Sequence, residues 1–516
     1  MFRAVPLLAV MLLAPSLAFA TTYYVDPAGS DAHDGSEASP WKTLQQAAGA
    51  VSAGDTVIVH AGSYAGFSVG FSTDVVAGTA SAPVRFLADA NVIINDRNDD
   101  TADGIDLEPG CDYWDIEGFT VQNPGGTISR AGIRVTDSEG VVVRNNVVDG
   151  CGTWGIFTSH ANGILIEHNR SSHAGTQHGI YVSNASVNPV VRGNTLFSNH
   201  ANGLHMNGDA SQGGNGVITG ALVEDNVIYD NGEGGGSGIN CDGVQDSTLR
   251  NNLLYGNHAS GISLYQTDAA EPATGNVVVN NTIVEAADAR WAINIQDAST
   301  GNTVLNNILF DENPSHGAVN ISADSLPGFV SDYNLVADAF AVGDNGNVDL
   351  AAWQSQTGQD AHSLVSTEAA NFVAPGSDFH LLANAPAVNA GTATNAPSSD
   401  LDGNARPSGS SVDIGAYEYG ASPGTSSSSS SSGSSGTSTS GSSGTSTSGS
   451  SGTSTSGSSG TSTSGSAASS STGGSGGTNP TTEGCGCGPS GSFDLLGALA
   501  LLFVGAVSRP RRPIGS

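Results

Sequence analysis

Residues 178–207 read HGIYVSNASVNPVVRGNTLFSNHANGLHMN. Two pieces in it, GIYVS (179–183) and GLHMN (203–207), share one shape: glycine, aliphatic, variable residue, aliphatic, polar residue. The same shape recurs as GIDLE (104–108), GIRVT (132–136), GIFTS (155–159), GINCD (238–242), GISLY (261–265), AINIQ (292–296) and AVNIS (318–322). A second series alternates with it: VRNNVV (143–148), IEHNRS (166–171), VRGNTL (191–196), VEDNVI (223–228), LRNNLL (249–254), VVNNTI (278–283) and VLNNIL (304–309). Within each unit aliphatic and polar residues alternate, which is strand periodicity, and no amphipathic helical stretch comes between them. Units of this kind repeating along a chain define a solenoid, one coil per repeat.

The asparagines 146, 169, 194, 226, 252, 281 and 307 fall in one column. An inward asparagine at a turn bonds the backbone of its own coil and the amide of the next, so this column is expected to be structural. In the GI-x-Φ-x units the second and fourth residues are expected to face the core and the third and fifth to face out. With coils stacked ~4.8 Å apart, the third column runs Asp106, Arg134, Phe157, Tyr181, His205, Asn240, Ser263, Asn294, Asn320. The fifth runs Glu108, Thr136, Ser159, Ser183, Asn207, Asp242, Tyr265, Gln296, Ser322. An ordinary solvated sheet favours Thr, Ser, Lys or Val at such positions. Arg, Phe, Tyr, His, Asn and Asp at the centre instead indicate a binding strip, flanked by His178, His200 and Asp209. Gly-rich insertions at 208–216 and 230–238 lie at the same level and would wall a groove there.

The repeats resemble the right-handed parallel β-helix of pectate-lyase-like proteins, over nearly the whole of residues 21–420. The fold class expected is therefore all-β, a right-handed parallel β-helix with a short N-terminal capping helix over 41–51. The opening YYVDPAGSDAHDGSEASPWKTLQQAAGAVSAGDTVIVHAGSY (23–64) resembles the usual entry of such helices. Residues 379–419 resemble the choice-of-anchor Q domain, through Asp400, Asp402, Arg406, Asp413 and Glu418. Those five are expected to form mainly a structural ion-pair or turn network, with a calcium site from the aspartates as the alternative.

The ends of the chain read differently. Residues 1–20 have the form of a secretory signal peptide. A cap and first coil at 21–65, repeats at 66–330 and C-terminal coils at 331–420 follow. Residues 421–483 are a Ser/Gly/Thr linker that has no apolar surface to bury. Residues 484–516 carry GCGCG, a short apolar segment and an Arg cluster, and resemble the MYXO-CTERM sorting signal; that resemblance makes Cys485 or Cys487 the anchor. The segment FDLLGALALLFVGAV rises only ~22 Å as a helix, short of the ~30 Å hydrocarbon core. The expectation is an exported, monomeric protein tethered to the cell envelope through its tail.

The chain has 48 acidic and 15 basic residues, net −33, and one lysine, Lys42. Nucleic acid is excluded as a partner, because neutralising phosphates needs dense Lys and Arg. Polysaccharide is the partner the β-helix resemblance implies. The first functional expectation is a lyase-like enzyme acting on a uronate-containing glycan. Tyr181 and His205 would then be the acid/base pair, Asn207 or Arg134 the neutraliser of the substrate acid, and His178 and Asp242 supports. Phe157, Trp154 and Tyr265 would be stacking platforms, with Asn240 beside them. Lys42 lies on the capping helix, so a lysine base is excluded. The alternatives are a non-catalytic surface adhesin and a glycoside hydrolase, for which Asp209 and Asp242 are the evident carboxylate pair. Repulsion between the acidic chain and an anionic glycan would call for bridging Ca²⁺. The run NDDTADGIDLE (98–108), with Asp99, Asp100, Asp103 and Asp106, is the expected calcium binder, although its spacing fits no defined loop. Cys111, Cys151 and Cys241 permit at most one disulfide.

Overall fold

The computed structural model describes residues 20–343 and 346–420; the signal, linker and Cys485/Cys487 expectations lie outside them. Three long parallel sheets run the length of the solenoid, of 12, 11 and 12 strands. Each coil contributes one short strand to each sheet, so neighbours in a sheet are one coil apart in the chain. Both sequence series are strands. The GI-x-Φ-x units make the 11-stranded sheet, and the asparagine units supply the two strands on either side of a tight corner, such as Val190–Arg192 and Thr195–Phe197. The core is a stack of inward aliphatics: Ile133, Ile156, Ile180, Leu204, Ile239, Ile262 and Ile293 are all fully buried and lie in register. Each such side chain contributes about 1.5–3 kcal/mol by leaving water.

The corner between the asparagine-series strands explains the Asn column. The residue before each ladder asparagine is left-handed: Asn145, His168, Asp225, Asn251, Asn280 and Asn306 have φ of 52–58°. That conformation favours Asn, Asp and Gly, and it leaves the next backbone N–H pointing along the solenoid axis. Asn146 donates both its backbone N–H and its Nδ2 to Asn169 Oδ1, each at 3.0 Å, and Nδ2 also reaches Ile116 O on the preceding coil. The pattern repeats through Asn194, Asn226, Asn252, Asn281 and Asn307, and continues one coil further than the sequence reading, to Asn334. A second ladder, Asn199–Asn231–Asn257, was not read from the sequence. It explains a glycine: a Cβ on Gly179 would lie 2.6 Å from Asn199 Nδ2.

The capping helix is shorter than expected, Leu44–Ala48, started by the Thr43 side chain and ended at Gly49. Its Leu44, Ala47 and Ala48 close the open end of the core. At the other end residues 380–419 run back along the outside of the corners. Asn251 donates to Ser399 O, Asn280 to Asp413 O and Asn306 to Thr392 O. Inside this segment Arg406 and Glu418 form a fully buried ion pair at 3.1 Å. Asp400 and Asp413 accept backbone N–H groups of Glu418 and Tyr419, and Asp402 meets His380. The five residues thus form an ion-pair and turn network. The three cysteines among the described residues are free and buried.

Candidate functional site: a two-column strip on the 11-stranded sheet

The third-position column stacks in the order read from the sequence: Asp106, Arg134, Phe157, Tyr181, His205, Asn240, Ser263, Asn294 and Asn320 are successive register partners. Beside it runs a second column that the sequence reading overlooked, made by the residue just before each unit's glycine. Ala131, Trp154, His178, Asn202, Ser237 and Ser260 occupy it. The signal was available as A-G-I, W-G-I, H-G-I, N-G-L and S-G-I, one residue outside the window that defined the repeat.

The two columns meet at three coils. Trp154 and Phe157 rings lie 4.7 Å apart, Phe157 meets Tyr181 edge-on at 5.5 Å, and Tyr181 stacks flat on His205 at 4.9 Å. His178 is wedged against both, 5.0 Å from Tyr181 and 4.7 Å from His205. It is a buried member of the strip rather than a flanking loop residue. Trp154 Nε1 is held by Gln177 at 2.6 Å. His178 Nε2 faces His205 Nδ1 at 3.1 Å, and Asn207 Nδ2 donates to the Tyr181 hydroxyl at 3.1 Å. Burial lowers the His205 pKa to about 3 and raises Tyr181 to about 12. Burial, then the neighbouring His205, lowers His178 well below its ordinary value. All three groups are therefore uncharged across the ordinary pH range.

The fifth-position column is a correction. Thr136, Ser159, Ser183, Asn207 and Asp242 are buried, not solvent-facing. The chain folds over them after each strand, and Asp242 is the clearest case: its carboxylate accepts the backbone N–H groups of Thr267, Asp268 and Ala269. Desolvation raises its pKa even so. Asp209 caps the short 3₁₀ turn Ala210–Gln212 through Ser211 N at 2.8 Å. Tyr265 lies further along the strip, in a pocket of about 220 Å³ with Asn240, Ser263, Arg290, Asn294 and Gln296. His200 stands apart, its ring against Gly234.

Arg134 is enclosed by carboxylates. Its Nη1 meets Asp106 at 2.9 Å and also Glu108, and its guanidinium lies 5.8 Å from the Phe157 ring centre. Those two acids, acting against desolvation, raise its pKa. Of the four aspartates of the acidic run, Asp99 lines a cleft beside the capping helix and the other three are engaged within the fold. Asp100 accepts from the Ser68 and Ser72 hydroxyls, Asp103 accepts from Ala131 N beside Arg130, and Asp106 pairs with Arg134. Among the described residues no group of three or more His, Cys, Asp or Glu gathers so as to hold a metal ion.

A family model described as periplasmic copper-binding protein (NosD) matches residues 49–220 and 213–322, more than half of the chain. No curated protein matches it. Among solved structures, the complex of XylC with xylose matches at 12% identity and a TM-score of 0.44, covering 67% of this chain and 82% of the other. Pectate lyase Pel9A matches at 16% identity and 0.44, covering 78% and 97%. The alginate lyase of Paenibacillus sp. str. FPU-7 matches at 16% and 0.42, covering 58% and 97%.

Proposed function

We propose that this chain, which belongs to the NosD family of periplasmic copper-binding proteins, is an exported β-helix protein that binds a polysaccharide along the Trp154–Asn240 strip. One observation carries the reading: an aromatic stack one coil apart, part-exposed at Trp154, Phe157, Tyr181 and His205, is continued by amide side chains at the same spacing. Aromatic faces stack on the apolar faces of sugars, and amides serve their hydroxyls. Export is supported by the form of residues 1–20 and by the family's periplasmic description. Tethering through the tail remains part of the proposal, tested by whether Cys485→Ala with Cys487→Ala releases the protein to the medium.

Copper, named in the family's description, does not fit the described residues. The soft donors Met206 and Cys241 are core residues with no exposure, and burial raises Cys111 and Cys151 to about 12, away from the thiolate a metal needs. His178 and His205 turn ring nitrogens toward each other, and no third ligand joins them.

A second reading keeps elimination of a uronate by Tyr181 and His205, with Arg134 or Asn207 at the substrate acid. The Asn207 hydrogen bond to the Tyr181 hydroxyl favours it, since a donor there steadies a phenolate. The test is a panel of neutral and uronate polysaccharides, with and without Ca²⁺. Binding that falls in Trp154→Ala and yields no product supports the proposal. Absorbance from a newly formed unsaturated uronate, abolished by His205→Ala and Tyr181→Phe, would replace it with the lyase. New reducing ends without that absorbance, lost in Asp209→Asn or Asp242→Asn, would replace it with a hydrolase.

A further inference from the structure

The hydrogen bonds behind the strip fix the protons on its two histidines and the orientation of its amides. Backbone N–H groups only donate, so assignment starts from them. Ser237 N–H donates to Asn202 Oδ1, which leaves Asn202 Nδ2 as a donor. That Nδ2 and the Asn202 backbone N–H both meet His178 Nδ1, at 3.2 and 3.3 Å, so Nδ1 is the accepting nitrogen. His178 therefore carries its proton on Nε2 and donates to His205 Nδ1. His205 in turn carries its proton on Nε2, where it is buried and has no partner. The same reasoning orients Asn240: its Nδ2 meets Asn202 Oδ1 at 3.1 Å, leaving Oδ1 unpartnered. Asn207 turns Nδ2 toward the Tyr181 hydroxyl and the Asp268 carboxylate, and its Oδ1 is unpartnered too.

One N–H donor and two carbonyl acceptors thus stand on adjoining positions, His205 and Asn207 on one strand and Asn240 on the next coil. Buried polar atoms without partners are costly and uncommon in folded proteins. A ligand that satisfies these three must both accept and donate, which a hydroxyl does. A carboxylate, sulfate or phosphate only accepts, and would set its charge against two amide oxygens, with Asp209, Asp242 and Asp268 nearby. Among the described residues no free cation lies beside these three atoms to offset that. Arg134 is enclosed by Asp106 and Glu108, and Arg290, exposed, lies further along in the Tyr265 pocket and donates to Gly236 O.

We infer that the strip selects an uncharged, hydroxyl-rich sugar polymer over an ionised one, with His205 as the hydrogen-bond donor, Asn207 and Asn240 as acceptors, and His178 and Asn202 as positioning residues. This rests on the reading that a glycan occupies the strip. The test is calorimetric titration of the full chain with matched pairs of polymers, galactan against polygalacturonate and glucan against its uronate-oxidised form. The neutral partner should bind at least about tenfold more tightly, the worth of one charge placed against unpaired acceptors. Asn240→Asp, nearly isosteric, should lower that affinity about tenfold. In ¹⁵N spectra both rings should show the Nε2–H tautomer. His178→Gln, with a terminal amide to replace the ring donor, should restore more binding than His178→Ala, which a merely structural role would not require. Tighter binding of the uronate polymer, lost in Arg290→Ala, or an Nδ1–H tautomer at His205, overturns the inference while leaving the glycan reading intact. Failure of both members of every pair to bind, or binding indifferent to Trp154→Ala, overturns the glycan reading itself.

Discussion

Phe197, Tyr229 and Tyr255 stack on one sheet of this solenoid much as Phe157, Tyr181 and His205 stack on another. Ring centres are 5.0 and 4.8 Å apart in the first and 5.5 and 4.9 Å in the second. The first stack ends under Phe379, which immediately precedes the returning C-terminal segment, within a cluster that includes Phe372, Leu381 and Tyr417. The second has no such cover, and its neighbouring amides carry unpartnered oxygens. A repeat places aromatic rings in columns wherever the sequence supplies them; what covers a column decides whether it serves stability or recognition.

The largest effect should come from uncovering the first stack. Phe379→Ala, at a side chain only 4% exposed, is expected to cost about 3–5 kcal/mol in chemical denaturation. Phe157→Ala should cost well under half of that, and equal losses would erase the distinction. The Asn columns give the next contrast. Asn226→Leu removes a side chain bonded both to Asn252 and to Val191 O, for a loss of ~1–3 kcal/mol. Asn207→Leu, whose Oδ1 is already unpaired, should change stability by less and abolish glycan binding.

Titration sharpens the comparison in a third way. The strip histidines have folded pKa values below the ordinary 6.5, so the unfolded chain takes up protons first and stability falls as pH drops from about 6.5 toward 3. His205→Phe should flatten that acid limb by on the order of 2 kcal/mol, allowing for partial exposure of the ring. The opposite sign applies to Glu285 and Asp311, register partners on the sheet of the first stack, whose pKa values burial raises, to about 7 for Asp311. Their contribution is present at low pH and is lost as pH rises through about 7. A stability profile with no acid limb would contradict the buried-histidine geometry. The smallest effect concerns recognition alone: Trp154→Ala should cost about 1 kcal/mol of glycan affinity with little change in melting temperature.

Much of this was legible in the repeats. Alternating aliphatics fixed the strands, and the third column followed because a period of two leaves no freedom once the core face is known. The doubled asparagines carried both the left-handed corner and its ladder. The buried fifth column was not legible, because its cover comes from loops such as 267–269, which reach Asp242 only in the folded chain. The column of His178 and Asn202 was legible in principle but lay one residue outside the unit as it was divided. Neither the enclosure of Arg134 by Glu108 nor the unpartnered state of Asn240 Oδ1 has a counterpart in sequence spacing.

The returning segment has a mechanical consequence. The described residues end at Gly420, just after Tyr419, whose backbone is clasped by Asp413 and Ser408. A pull applied at Gly420 would therefore load the returning segment before the solenoid's own strands, which would otherwise peel one by one. It would enter sideways through the Arg406–Glu418 pair and be shared among the corners at Asn251, Asn280 and Asn306, on three successive coils toward the C-terminal end of the stack. The load path crosses many hydrogen bonds at once, as in a lap joint, and the sheet bearing the strip stays out of it.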